Sequence, residues 1–265
     1  MTALDLSALD PDLVPHHVGL ILDGNGRWAN QRGLHRTEGH LAGEEALFDC
    51  IRGAIDMGIG WLTAFTFSTE NWARDAEEVA FLMWFNEDLL VRRRDVLHEW
   101  NVRIFFAGDL ADPRVPERNR LRMQESEELT RDNTGMSMVF AFNYGSRWEL
   151  TEATRKIARQ AAAGELDPES IDERTVARHL AVPDMPDLDL LIRSSGEHRL
   201  SNFLLWQAAY AEFAFPGILW PDFDRHRLLE AVVDYQKRDR RFGGAVDRSE
   251  MTDDRARGDV DGTTE

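Results

Sequence analysis

Five short apolar runs recur along the chain, at residues 18–22, 62–67, 102–107, 136–142 and 188–192. Each is rich in branched and aromatic side chains and shows no alternation with polar residues, the mark of a strand buried on both faces. Between and after them lie longer stretches in which apolar residues return every three or four positions: 41–57, 79–100, 116–131, 147–163 and 225–241. That spacing predicts amphipathic helices. Strand–helix alternation predicts a single α/β domain, a mostly parallel central sheet flanked by helices. No repeat or low-complexity linker breaks residues 15–244, so these are read as one folded unit after a short N-terminal segment, 1–14. Residues 245–265 carry seven acids, three arginines and no apolar period, and are expected to be a disordered acidic tail.

Charge changes the picture more than bulk composition does. The formal net charge is −17, which argues against a nucleic-acid-binding surface. Only Lys156 and Lys237 are lysines among 31 basic residues. An acid excess with lysine nearly absent suggests a protein adapted to concentrated salt, where screening removes self-repulsion. The single cysteine, Cys50, rules out an intrachain disulfide. The N-terminus lacks a basic-then-apolar signal pattern, and no run reaches the length of a membrane span. A cytoplasmic protein is expected, with any membrane contact peripheral.

In parallel α/β sheets ligands collect beyond the carboxyl ends of the strands. After the first apolar run comes Asp23-Gly24-Asn25-Gly26-Arg27-Trp28. Its glycines permit close backbone approach, a following helix N-terminus offers free N–H groups, and Arg27 adds a two-pronged donor, which together suit a phosphate. Asp23 beside a diphosphate implies a Mg²⁺ ion between them. A simple helix-capping turn, or a dinucleotide fingerprint, remains an alternative for this segment alone. Arg36 and His40 follow. After the second run stands the polar cluster Ser68-Thr69-Glu70-Asn71-Trp72-Ala73-Arg74, which also reads as a capped helix start. After the fourth stands Asn143-Tyr144-Gly145, more simply a tight turn. The densest cluster follows the fifth run: Arg193-Ser194-Ser195-Gly196-Glu197-His198-Arg199-Leu200-Ser201-Asn202. Its arginines and serines suit a second diphosphate. The apolar side chains of 79–100, among them Val79, Phe81, Leu82, Met83, Phe85, Leu89 and Leu90, with Met138, Val139 and Phe140, would then line a tunnel for a hydrocarbon tail.

Taken in order, these segments resemble the cis-prenyltransferases, the undecaprenyl diphosphate synthase family, over about residues 15–244. Further signatures are Gly39-His40 and the stretches 204–212 and 219–223. The resemblance implies an enzyme that condenses isopentenyl diphosphate onto an allylic diphosphate primer such as farnesyl or geranylgeranyl diphosphate. Each new double bond is cis, and the product is a polyprenyl diphosphate for a glycosyl carrier lipid. Asp23 matches the essential Mg²⁺-linked aspartate and Asn71 the position assigned to proton removal. Gly24, Asn25, Gly26, Arg27, Trp28, Arg36 and His40 match the allylic site. Ser68, Thr69, Glu70, Trp72 and Arg74 match the loop that closes over substrate. Arg193, Arg199, Leu200 and Ser201 match the isopentenyl diphosphate site, while His198 and Glu212 match metal-linked positions. Arg241 and Gly243 match a motif contributed by a partner subunit, which implies a homodimer.

Two departures carry expectations. Asp75 stands where the family commonly has proline, which predicts a looser substrate loop. Thr66 and Phe142 stand at tunnel positions where small residues accompany long products, which predicts a shortened product. The aspartate-rich motif of the trans enzymes does not occur: Asp253-Asp254 is followed by Arg255-Ala256-Arg257. A non-catalytic accessory subunit of the same fold is disfavoured by the presence of Asp23, Asn71, Arg193 and Arg199. A nicotinamide-dependent oxidoreductase is disfavoured because no acid ends the second strand.

Overall fold

The structure, a computed structural model of the chain, describes residues 4–238. The expected tail and the partner-directed Arg241 and Gly243 lie outside the described residues. The apolar runs form strands β1 (His17–Ile21), β2 (Trp61–Ser68), β3 (Arg103–Ala107), β4 (Ser137–Tyr144) and β5 (Leu190–Arg193), with a sixth, β6 (Glu212–Ala214). The helices are α1 (Asn25–Gln31), α2 (Arg36–Met57), α3 (Ala76–Glu99), α4 (Glu117–Thr130), α5 (Ser146–Ala162), α6 (Glu173–Arg178) and α7 (Arg225–Gln236). The strands form one sheet in the order β3-β4-β2-β1-β5-β6, and every pairing is parallel. The short elements α1, α6 and β6 are too brief to show a period in the sequence.

Alternate side chains along each strand feed two cores. Val18 and Leu20, Met138 and Phe140, and Leu190 and Ile192 face the helices α2, α3 and α7. Val139, Ala141 and Leu191 face the opposite layer with Leu188, Phe203 and Leu204. β2 departs from this alternation. Its register shifts between Phe65, which pairs with Ala141, and Phe67, which pairs with Phe142. Thr66 is the extra residue of that bulge, its hydroxyl donating to the Ala141 carbonyl at 3.0 Å. Bulges re-aim side chains; this one sends Phe67 into the α2/α3 core while Phe65 stays with the other.

Helix α2 lies close under the β1–α1 turn because two of its residues have no side chain. A Cβ on Gly39 would stand 2.0 Å from the Asn25 carbonyl oxygen, and one on Gly43 would stand 2.6 Å from Asn25 Oδ1. Between α2 and α3, the buried Glu44 carboxylate accepts from Arg92 at 2.7 Å through both oxygens and from Arg93 Nε at 2.7 Å. These charge-assisted bonds tie the two helices together. Asp75 caps α3, accepting from the Glu77 backbone N–H at 2.8 Å. At the position where the family commonly has proline, this chain thus has a helix cap.

Candidate active site

Chain order places a switch point between β1 and β5: the path leaves β1 toward β2 and returns, after β4, on the other side. The crevice at such a switch is where parallel sheets bind ligands. Asp23 leaves the end of β1 and Arg193 ends β5, and their side chains meet across the crevice, Nη2 to Oδ2 at 2.8 Å. Around them opens a cavity of about 670 Å³. Of the expected residues it is lined by Asp23, Gly24, Asn25, Gly26, Arg27, Arg36, His40, Ser68, Glu70, Asn71, Arg74, Arg193, Arg199 and Ser201. Four separate stretches of sequence thus converge on one site.

Five guanidinium groups gather here in a chain of net charge −17. Arg193 is almost fully buried; its Nη1 donates to the Arg199 carbonyl at 2.8 Å and to Ser201 Oγ at 2.7 Å. Ser201 has the left-handed backbone (φ 50°) that brings its hydroxyl back to Arg193. Glu197 ties two arginines together, accepting from Arg199 at 2.6 Å and from Arg27 at 3.5 Å. On the far side Glu78 collects Arg74 at 2.9 Å and Arg36 at 3.3 Å, with His40 Nε2 at 3.8 Å. Burial, then the charges of Arg74 and Arg36, push His40 down to about 4, against the opposing pull of Glu78, so its imidazole is neutral near pH 7. Burial works against ionisation of Asp23, but hydrogen bonding and charge from Arg193, with the charge of Arg27, outweigh it and hold the carboxyl below its usual range.

Asn71 occupies the short 3-10 turn Thr69–Ala73 after β2. Its Oδ1 accepts from the Ser68 backbone N–H at 2.9 Å. The group it has left to offer the cavity is its NH₂, a donor. Glu70 is held below its usual range, its burial outweighed by hydrogen bonds from its own backbone and from Asn202, Thr69 and Ser68.

Beyond the polar mouth the cavity turns apolar, with Leu47, Leu82, Phe85 and Leu89 on its walls and Thr66 and Asn86 deeper in. Thr66, Asn86 and Leu89 also border a second space lined by Leu90, Phe106, Met123, Phe140 and Phe142. Its volume, about 10 Å³, is roughly that of one water site, so little open space lies beyond Thr66 and Asn86. Of the other side chains expected on the tunnel wall, Val79 and Met83 line a separate outer groove, Val139 packs in the opposite core, and Met138 lies fully buried in the α2/α3 core. Phe81 packs among aromatic neighbours, its ring centroid 6.2 Å from His40.

Several expected residues stand outside the cavity. Trp28 Nε1 donates to Asp222 Oδ1 at 2.7 Å beneath the Arg32 guanidinium. Thr69 donates to Glu70, and Trp72 turns toward β4. Leu200 packs against the opposite core. His198 stacks on Phe215 with centroids 4.9 Å apart, and Glu212 pairs with Arg238 at 3.0 Å. Within one chain Asp23, His198 and Glu212 do not come together, and among the described residues no group of three metal-binding side chains is assembled. Lining residues missing from the expected set include Gly43, Glu44, Leu47, Phe65 and Asn86, while Trp220 comes from the 219–223 signature. The Gly39/Gly43 spacing is a readable sign of close helix approach, and Asn86 is the polar residue that breaks an apolar helix face.

Comparison with known proteins agrees with this geometry. The family model described as putative undecaprenyl diphosphate synthase matches residues 21–243. The chain is 54% identical over 237 residues, 89% of its length and 83% of the relative's, to a trans,polycis-polyprenyl diphosphate synthase, (2Z,6E)-farnesyl diphosphate specific, of Thermobifida fusca. It is 53% identical over 234 residues, 88% of its length and 78% of the relative's, to decaprenyl diphosphate synthase of Mycobacterium tuberculosis. Among solved structures it resembles lavandulyl diphosphate synthase of Lavandula x intermedia in complex with dimethylallyl diphosphate. That match has a TM-score of 0.84 and 39% identity, and covers 88% of this chain and 99% of that one. A probable undecaprenyl diphosphate synthase of Campylobacter jejuni matches with TM-score 0.72 and 27% identity, covering 86% and 98%. With strand-end arginines around Asp23 and an apolar tunnel behind them, the chain belongs to the undecaprenyl diphosphate synthase family and is a cis-prenyltransferase.

Proposed function

We propose that the protein condenses isopentenyl diphosphate onto a short allylic diphosphate primer, farnesyl or geranylgeranyl diphosphate, and grows the cis-polyprenyl tail into the cavity under α2 and α3. The observation that carries this reading is the joining of two arginine clusters through Asp23, Arg193 and Glu197 at the mouth of an apolar tunnel. The allylic diphosphate would lie against the 24–27 turn with Arg27, Arg36, His40 and Arg74. The isopentenyl diphosphate would lie against Arg193, Arg199 and Ser201. These donors are aimed where charge accumulates as diphosphate departs, in a site partly shielded from water.

A Mg²⁺ ion fits the mouth: one half-buried carboxylate, ionised across the neutral range, is the usual protein share of an ion whose other ligands are phosphate oxygens and water. Asp23 would hold it, and it would supply neutralisation of the leaving diphosphate. Asn71, with its carboxamide oxygen occupied by Ser68, positions a diphosphate oxygen through its NH₂. That oxygen, more basic than a carboxamide, is then the acceptor of the proton lost from the isopentenyl unit.

The small space beyond Thr66 and Asn86 supports a short product. Phe142 borders it, fully buried, its ring 5.4 Å from that of Phe67. A homodimer is supported by exposed apolar side chains, Phe213 on β6 and Leu205, each 36% exposed. Among the described residues no helix is long and apolar enough to cross a membrane. Peripheral contact for product release, a cytoplasmic location and use of the product as a glycosyl carrier lipid complete the proposal.

Incubation of purified protein with labelled isopentenyl diphosphate, Mg²⁺ and each allylic primer in turn tests the reading. It predicts a cis-polyprenyl product that depends on Mg²⁺ and is absent from Asp23→Ala. No extension by a folded protein with any primer would contradict it.

A further inference from the structure

The Asn143-Tyr144-Gly145 turn does not line the cavity, yet it is tied to the segment that does. Trp72 Nε1 donates to Asn143 Oδ1 at 2.7 Å. Asn143 Nδ2 donates to the Asp109 carbonyl at 2.8 Å and to Asp112 Oδ2 at 3.3 Å. Asp112 in turn accepts from Arg114, Nη2 to Oδ2 at 2.6 Å and Nε to Oδ1 at 3.0 Å. The Arg114 guanidinium then lies over the Trp72 ring, 4.7 Å from its centroid. Four side chains from three separate segments thus form a closed ring: Trp72, Asn143, Asp112, Arg114.

The backbone is shaped for this ring. Asn143 is fully buried in the left-handed region, φ 48°. That conformation turns its carboxamide away from the strand direction, and asparagine is one of the few residues that tolerates it. Gly108 has φ 141°, and a Cβ there would stand 1.9 Å from the Phe142 carbonyl oxygen. Only glycine therefore lets the segment after β3 come close enough for Asp109 and Asp112 to reach Asn143. Trp72 also meets Phe67 edge-on at 5.0 Å. Its immediate neighbour Asn71 and nearby Arg74 line the cavity, while Trp72 itself does not.

We infer that Asp112 and Arg114 are positioning residues, a latch that holds Trp72 and thereby fixes Asn71 and Arg74 over the reacting diphosphates. The inference rests on the prenyl-transfer reading for what the loop is held against, but the ring itself is independent of it. Arg114 acts from outside the cavity. It clamps the indole from above while Asn143 holds its N–H from the side. Opening the loop requires the cation–π contact and the indole hydrogen bond to break together, which makes the closed loop cooperative.

Amide hydrogen exchange of the peptide spanning 69–74, read in the free enzyme alongside steady-state kinetics for the allylic primer, tests the latch. Arg114→Ala is expected to raise exchange in that peptide by about threefold to tenfold, the scale of one cation–π contact, and to leave α5 and α7 unchanged. KM for the allylic primer should rise more than kcat falls, because bound substrate reselects the closed loop. Arg114→Lys keeps a cation over the ring and should recover part of the protection. Trp72→Phe keeps the ring but removes the N–H donor and should loosen the same peptide, which covers the case in which Arg114→Ala does not fold. Unchanged exchange at 69–74 in folded Arg114→Ala, or a rise spread evenly over the protein, would overturn the inference. A loosened loop in an enzyme that extends no primer would uphold the latch and remove the functional reading instead.

Discussion

At the scale of single residues the site is organised by what each polar atom already holds. Asn71 is the sharpest case. Sequence resemblance assigns it to proton removal, yet its oxygen is occupied by the Ser68 N–H, which no motif could reveal. Asn71→Asp distinguishes donor from base: the variant keeps the acceptor for Ser68 but loses the NH₂ and adds charge beside a diphosphate. Steady-state kinetics should show kcat/KM down by about a hundredfold or more, whereas a base at this position would retain activity as aspartate. A second residue-scale expectation concerns stability. His17 is fully buried, bonded to Thr63 Oγ1 at 2.8 Å and the Pro186 carbonyl at 2.9 Å, and burial pushes it down to about 4. The unfolded chain therefore binds a proton that the folded one refuses between about pH 6.5 and 4, so stability falls as pH drops through that window. The contribution is about 3 kcal/mol, complete below the lower value. Urea unfolding at several pH values should show this slope, and His17→Gln should reduce it, leaving the share of His40, which burial lowers over the same window. The strand-end arginines and Asp23 were legible because charge immediately after a buried strand has few packing roles. Trp28, His198 and Glu212 lie outside the cavity of the single chain, their side chains turned to Asp222, Phe215 and Arg238, contacts that no pattern reveals.

Elements bring these residues together, and here the sequence is most informative where the periodicity is long. The five strongest strands and the helices α2, α3, α4, α5 and α7 follow from apolar spacing to within a few residues at most boundaries. α1 and β6, at seven and three residues, do not, because a period needs several turns or alternations to show. The bulge at Thr66 was also hidden. Alternation alone would put Phe65 and Phe67 on one face, and only the pairing of β2 with β4 shows the slip. The contact between α1 and α2 depends on Gly39, whose absent Cβ makes room for the Asn25 carbonyl 2.0 Å from its ideal position. Gly39→Ala should cost about 1–3 kcal/mol in thermal or urea unfolding, since backbone rather than a flexible side chain must yield. The same change should weaken binding of inorganic pyrophosphate, because it displaces the 24–27 turn. Retention of both stability and pyrophosphate affinity would show that the turn tolerates a wider separation from α2.

For the whole molecule, the arrangement is one of charge against shape. In a chain of net charge −17, five arginines gather at one mouth, an arrangement that draws anions to that cavity. Behind the mouth lies the small second space bordered by Phe142, which the sequence marked as a bulky residue in an elongation path and the structure places fully buried. Growth of the chain inside this cavity, toward Phe142, is the central claim. Product sizing of wild type against Phe142→Leu, under matched primer and isopentenyl diphosphate, tests it most directly. Leucine is used because truncation to alanine would cost about 3–5 kcal/mol and confuse length with stability. The account predicts a shift to longer products with little change in the first condensation. An identical product distribution from a folded, active Phe142→Leu would contradict it.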